Sequence, residues 1–480
     1  MIKKCQVFTP PETVKKLLEV VGYEKDLYGK KIIENACGDG NILTVIVERY
    51  ITDCLDKEFS LNDIKAGLEH DIFGAELEEI HYRNCINNLN KIAENYGLYG
   101  VNWSILNVDI LKEDFDFKFD YVVGNPPYIT YKDLNEETRC FVRENYEVCR
   151  KGKFDYCYAF IEASLKLLNE RGKMSYLIPS SIFKNVFAQN LREYLLPFLN
   201  KVYDYQTIKL FDVLTSSAII VCDKGNTVEQ IEYINLDKRV SYKINKIELT
   251  YKWEFVNKKK SILGKAARFG DYFNASITIA TLLNEAFVLK NFKDIRSFEE
   301  GGQRYIQTNK FIIEDNLLKN AVSPRSLSYN KEELIIFPYF YNEGSLVRYT
   351  EEDFKKKFPF GASYLNSFFD KLQKRASDKS VKWFEYGRTQ ALAHLNQEKL
   401  LVSTVVTKQV KTYKISEEDI PYSGIYITKK ADLSLDFAKK VLESIEFLEY
   451  ANSIGINASG SSLRITAKDI NNYLFNIEEV

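Results

Sequence analysis

The sequence predicts an α/β fold: a doubly wound, seven-stranded sheet followed by a mixed α+β region. Three observations carry this. Lys31-Ile32-Ile33-Glu34 runs into the glycine loop Asn35-Ala36-Cys37-Gly38-Asp39-Gly40-Asn41 and then into the apolar stretch Ile42, Leu43, Val45, Ile46 and Val47. Two further short apolar runs, Ile72-Phe73-Gly74-Ala75 and Ser104-Ile105-Leu106-Asn107-Val108, end in the acids Glu76 and Asp109. A fourth, Phe119-Asp120-Tyr121-Val122-Val123, ends in Gly124-Asn125-Pro126-Pro127-Tyr128. In such sheets ligands bind beyond the carboxyl ends of the strands.

Taken in order, Thr9-Pro10-Pro11-Glu12 reads as a helix start, with Thr9 as N-cap and Glu12 closing a capping box. Val14, Leu17, Leu18 and Val21 follow at helical spacing and Gly22 ends the run. The loop at 35–41 lacks the three-glycine dinucleotide fingerprint and the Lys-Ser/Thr of a P-loop, so NAD and ATP fit poorly. The 37 positions from Asp39 to Glu76 are long for one helix and imply an insertion near Asp53 to Lys65. Acids at neighbouring strand ends suit a nucleoside, one accepting from ribose hydroxyls and the other from an adenine amino group. In the fourth turn, consecutive prolines fix two φ angles and remove two donors, holding the Asn125 amide and the Tyr128 ring in a preset relation. That is a pocket for a planar amine.

Beyond the turn, Asn135 to Tyr146 is polar, a helix or loop over the pocket, and a helix begins at Asp155-Tyr156-Cys157-Tyr158-Ala159-Phe160-Ile161. The strand Met174–Ile178 leads through Phe183 and Phe187 to a helix containing Leu191–Leu195, and β-like runs at 202–208 and 218–222 complete the sheet. Residues 1–245 therefore form one domain, 246–265 with Lys258-Lys259-Lys260 a linker, and 266–480 a second domain. There aromatic and basic residues interleave, as in Gly302-Gln303-Arg304-Tyr305, Phe337–Tyr341, Arg348-Tyr349 and Trp383–Gln390, which suits a phosphate backbone gripped by Arg304 and Arg388.

Composition bounds the function. The 480 residues contain no run near the roughly 18 apolar residues of a membrane span, so a cytoplasmic protein without a membrane partner is expected. Eight cysteines, all between Cys5 and Cys222 and with no CxxC pair, argue against disulfides and zinc, and with three histidines a His-rich metal site is not expected either, so no metal is assigned. The net charge of −1 allows a basic face because 66 Lys and Arg can be gathered on one side, and 32 Tyr with 31 Phe leave rings to stack on bases.

These landmarks resemble the gamma-type, TaqI-like adenine-N6 DNA methyltransferases, which place the cofactor segment first, the catalytic turn next and the target-recognition domain last. Phe8-Thr9-Pro10-Pro11 looks like the family's opening motif and Glu34–Gly40 like its S-adenosylmethionine loop, with Asn35 where proline is more frequent. The resemblance implies a Rossmann-like methyltransferase sheet and a cofactor site of Thr9, Pro10, Glu34, Ala36, Gly38, Glu76, Asp109, Ile110 and Phe160. It implies catalysis at Asn125, Pro126, Pro127 and Tyr128, with Tyr128, Phe187 and Phe183 stacking on a flipped adenine. Asn-Pro-Pro-Tyr is typical of adenine-N6 enzymes, whereas serine in the first place leans towards cytosine-N4.

The implied partners are S-adenosylmethionine, double-stranded DNA and a cognate restriction endonuclease, the chain acting as a monomer at the bacterial nucleoid, alone or in a restriction-modification system. With only seven residues ahead of the opening motif, no N-terminal nuclease domain is expected. Acceptance of the target amine by Asn125 Oδ1 and the Pro126 carbonyl would align its lone pair with a methyl sulfonium, and Tyr128→Phe is expected to be nearly silent if the ring merely stacks. The alternatives are an RNA adenine-N6 methyltransferase, a HemK-like protein glutamine methyltransferase, which has no need of some 220 further residues, and a non-enzymatic DNA-specificity subunit.

Overall fold

The computed structural model describes residues 9–211, 216–255, 266–459 and 462–477. Phe8, Cys5, the Lys258–Lys260 run and the Gly460-Ser461 pair lie outside them. The chain divides into two compact units, Met1–Asn257 and Lys258–Val480.

The first unit is built on one sheet. Its strands are β1 (Ile32–Glu34), β2 (Ile72–Ala75), β3 (Ser104–Leu106), β4 (Phe119–Gly124), β5 (Leu168–Pro179), β6 (Leu199–Asp204), β7 (Ser217–Asp223), β8 (Gln230–Asn235) and β9 (Val240–Asn245), in the order β3-β2-β1-β4-β5-β7-β6-β8-β9. The first five run parallel, and β7 lies antiparallel between β5 and β6. The sheet thus has nine strands and not seven. The β8–β9 hairpin, with Arg239 at φ 54° in its turn, escapes a sequence reading because few of its side chains are buried, chiefly Ile231, Tyr233 and Ile244.

Both faces are covered, which is why the strands read as continuous apolar runs. Ile32, Val123, Leu177 and Ile219 pack beneath α1 (Pro11–Val21), α2 (Asn41–Asp56) and α4 (Glu79–Asn95). Ile33, Val122, Tyr176 and Ile220 pack beneath α6 (Cys157–Leu167) and α7 (Gln189–Leu195). The length between Asp39 and Glu76 is taken up by a second helix, α3 (Leu61–Asp71), whose N-cap Ser60 accepts from Asp63 N at 3.1 Å. The predicted Thr9 capping box does not form. Pro10 occupies the N-cap with no side-chain bond, because the Pro10-Pro11 pair starts the helix one residue later and leaves the Thr9 hydroxyl for another partner. Gly22, at φ 76°, ends α1 as expected. The remaining helix, α5 (Glu136–Asn145), is capped by Asn135, which accepts from Thr138 N at 2.7 Å.

The linker expected at 246–265 is shorter than the sequence suggested. Leu249 and Trp253 are buried in the first unit, Trp253 N donates to the Phe183 carbonyl at 2.9 Å, and only 256–265 fall outside the described residues. The second unit centres on an antiparallel sheet of Phe273–Ile277, Ile425–Lys429, Lys399–Val402 and Thr412–Ile415, with helices Leu435–Glu443 and Ile445–Ile454 contributing to the same core. A three-stranded sheet, Arg296–Glu300, Gln303–Gln307 and Ile312–Glu314, turns at Gly301-Gly302, both in the left-handed region.

Candidate functional site

The loop after β1 is tied down from three sides. Gly38 N donates to Glu76 Oε2 at 2.9 Å, and Glu76 Oε1 accepts from Glu78 N at 2.9 Å. Asp39 Oδ1 meets His81 Nδ1 at 2.7 Å and Asn84 Nδ2 at 3.1 Å on α4, while Asn88 Nδ2 donates to the Asp39 carbonyl at 3.0 Å. Gly40 has φ 84°, and a Cβ there would lie 2.7 Å from Cys85 Sγ, so the position demands glycine. Glu34 is 3 % exposed, and its Oε2 has no hydrogen-bond partner among the described residues. Burial, with Cys85 and Glu76 nearby, pushes its carboxyl well above the usual range.

Asp109 caps the short turn Ile110–Lys112, accepting from Leu111 N at 3.3 Å, with Lys112 Nζ at 3.5 Å. Ile110 and Phe160, expected to line the cofactor site, are each 5 % exposed and belong to the core. The sequence reading missed Tyr156, whose more exposed ring meets Phe160 edge-on at 5.3 Å. Burial and the Asp109 carboxylate push its hydroxyl up, so the two stand within electrostatic reach.

The turn after β4 holds the Asn125 amide between two hydroxyls. Asn125 Nδ2 donates to Thr9 Oγ1 at 3.2 Å, and the Tyr128 hydroxyl stands 2.6 Å from Asn125 Oδ1 and 2.8 Å from the Leu177 carbonyl. Pro126 is buried, while Asn125, Pro127 and Tyr128 are half-buried. The opening motif and the turn, more than a hundred residues apart in sequence, thus meet at one amide. A buried network lies behind them: Tyr176 Oη donates to Asn35 Oδ1, Asn35 Nδ2 donates to Ser164 Oγ at 2.9 Å, and Ser164 Oγ lies 2.6 Å from Tyr176 Oη. A Cβ on Gly124 would stand 3.3 Å from the Tyr176 ring, so this network touches both the loop and the turn.

Two stacking assignments separate. Phe187 is 41 % exposed and remains available, whereas Phe183 is 2 % exposed and stacks on Trp253 at 6.0 Å, with Phe255 edge-on at 4.9 Å. Phe183 cannot receive a base, because the segment read as linker covers it. In the second unit most of the aromatic-basic patches turn inward: Phe337, Tyr339, Phe384, Glu385 and Tyr386 are buried, and Glu385 takes both arms of Arg348. Arg304 and Arg388 stay on the surface, facing Asp315 at 3.4 Å and bonded to Asp378 respectively.

The residues present fit S-adenosylmethionine. An orphaned, buried Glu34 oxygen suits its positive charge, a loop held open by Gly40 admits close backbone approach, and Glu76 and Asp109 stand at adjacent strand ends with lone pairs to spare. Among the described residues, no group of three His, Cys, Asp or Glu is placed to hold a metal, and no helix is long and apolar enough to cross a membrane.

Residues 25–212 match the family described as Eco57I restriction-modification methylase. Type II methyltransferase M.BstVI of Geobacillus stearothermophilus is 30% identical over 202 residues, covering 39% of this chain and 36% of its own length. Type II restriction enzyme and methyltransferase RM.Eco57I of Escherichia coli is 24% identical over 394 residues, covering 71% of this chain and 38% of its own. The chain therefore spans well under half the length of these relatives. Among solved structures, the type IIL restriction-modification enzyme MmeI in complex with DNA superposes with a TM-score of 0.59 at 13% identity, over 96% of this chain and 65% of that one, which is a likeness of fold. Over residues 25–212 the chain is thus similar to the Eco57I restriction-modification methylases.

Proposed function

We propose that this chain is a DNA methyltransferase that moves a methyl group from S-adenosylmethionine to the N6 amino group of an adenine flipped out of duplex DNA. The observation that carries the reading is the Asn125 amide, held at both ends so that its oxygen is a fixed acceptor at the mouth of a rigid turn. Bound S-adenosylmethionine would supply an electrophilic methyl on sulfur. Glu34, the loop at 36–40, Glu76 and Asp109 would hold it, with Thr9 and Pro10 at the opening motif and Ile110 and Phe160 behind. Asn125 Oδ1 and the Pro126 carbonyl would accept from the target amine, drawing its lone pair out of the ring and aiming it. Fixed acceptors of this kind cost no reorganisation during reaction, so alignment rather than a strong base provides the rate. Flipping costs a few kcal/mol. Stacking on Tyr128 and on the exposed Phe187 would return about 1–3 kcal/mol per ring.

Asparagine at the head of the turn favours adenine over cytosine, and the second unit favours DNA over a protein glutamine. In that unit Arg304 and Arg388 would exchange their acidic neighbours for phosphates. A cognate endonuclease activity would complete a restriction-modification pair, as the double name of RM.Eco57I describes for that protein. The test is tritiated methyl transfer to duplex DNA, RNA and protein, followed by hydrolysis of the product. N6-methyladenine from duplex DNA is expected; N4-methylcytosine, or label confined to RNA or protein, would overturn the assignment.

A further inference from the structure

Asn125 can face either way, since its amide oxygen and nitrogen differ little in size, and only one orientation offers an acceptor to an amine. Two hydroxyls grip it, one at each end. Thr9 Oγ1 lies 3.2 Å from Nδ2, and Tyr128 Oη lies 2.6 Å from Oδ1. Tyr128 Oη has one hydrogen and two acceptors in reach, Asn125 Oδ1 and the Leu177 carbonyl at 2.8 Å on β5. Burial, with Cys157 and Asp155 nearby, holds the phenol well above its usual range, so it remains a donor at any working pH.

We propose that Thr9 and Tyr128 are positioning residues that hold the Asn125 amide, the Tyr128 proton sitting on one lone pair of Oδ1 so that the other is left for the target amine. This rests on the reading of Asn125 as the amine acceptor. In the empty site the phenol satisfies Oδ1, which would otherwise be a half-buried acceptor with one fewer donor. An amide oxygen carries two lone pairs, so the amine is accepted on the second while the phenol keeps the first, and no heavy atom has to move. A Tyr128 that only stacked would tolerate loss of its hydroxyl; a Tyr128 that also orients the amide does not.

The test compares Tyr128→Phe, Thr9→Val and Thr9→Ser with the wild type on duplex DNA carrying the unmethylated target site. Single-turnover methyl transfer should fall about tenfold in Tyr128→Phe and in Thr9→Val, one hydrogen bond's worth in each case. In Tyr128→Phe, KM for cofactor and DNA should stay within about twofold, since the ring still stacks and the lost contact acts on the reacting geometry. Thr9→Ser, which keeps the hydroxyl, should restore most of the rate lost in Thr9→Val. The double variant should lose less than the product of the two single losses, because both act through one amide. 2-Aminopurine fluorescence at the target position should be unchanged in Tyr128→Phe, whose ring still stacks. Equal rates for Thr9→Val and Thr9→Ser, or a wild-type rate in Tyr128→Phe, would overturn the proposal. A wild-type enzyme that leaves no N6-methyladenine would instead sink the underlying reading of the reaction.

Discussion

At the scale of single residues, the geometry separates groups that read alike in sequence. Asn125 is half-buried in a turn with two fixed bonds, and its replacement by alanine should lower methyl transfer by about 10²-fold or more. The cofactor dissociation constant, followed by calorimetry, should stay within a few fold; loss of both together would mark the turn as structural. Glu76 and Asp109 were legible because acids after strand ends follow from the topology rule; Glu76 directly follows β2 and Asp109 stands three residues beyond β3. Phe183 was not, because its fate depends on Trp253, seventy positions later in a stretch whose charge disguised it. Tyr156 was overlooked for the converse reason: inside a helix-start pattern of aromatic residues, nothing in spacing distinguishes the more exposed ring from the one that packs in the core.

Elements couple through a few buried polar groups. Asn35, Ser164 and Tyr176 join the loop after β1 to α6 and β5, and removing the phenol oxygen leaves the Asn35 carbonyl without its donor. Tyr176→Phe should therefore cost about 1–3 kcal/mol in urea unfolding at an unchanged m-value. Asp155 ties the segment after the Asn-Pro-Pro-Tyr turn to the start of α6, through its bridge to Thr130 and its acceptance from Cys157 N at 3.2 Å. Burial raises its carboxyl to about 6, above the ~4 of an unfolded aspartate. A raised value means stability is full below the unfolded pKa and is lost as pH climbs to the folded one. Asp155→Asn should thus gain stability relative to the wild type between about pH 4 and 6, and the difference should level off above. The first four strands and the helix over 11–21 came from apolar runs and helical spacing; the extra β8–β9 hairpin and the misplaced cap at Thr9 did not, since one is mostly exposed and the other was decided by adjacent prolines.

For the molecule as a whole, the first unit answers to sequence rules and the second largely does not. A doubly wound sheet repeats one local pattern, whereas the second unit assembles short antiparallel strands from distant segments, so Phe273–Ile277 pairs with Ile425–Lys429. Its surface arginines remain open to test by salt. Arg304→Ala and Arg388→Ala should each weaken duplex binding for all sequences alike and flatten the dependence of log affinity on log salt by about one unit. An unchanged slope in both would place the DNA contacts elsewhere. The Tyr176 ring, lying against Gly124 while its hydroxyl holds Asn35, has a kinetic corollary. Donor and acceptor berths share one footing before either molecule arrives, so neither has to wait for the other to shape its seat. Random rather than compulsory order of addition is the expected steady-state pattern.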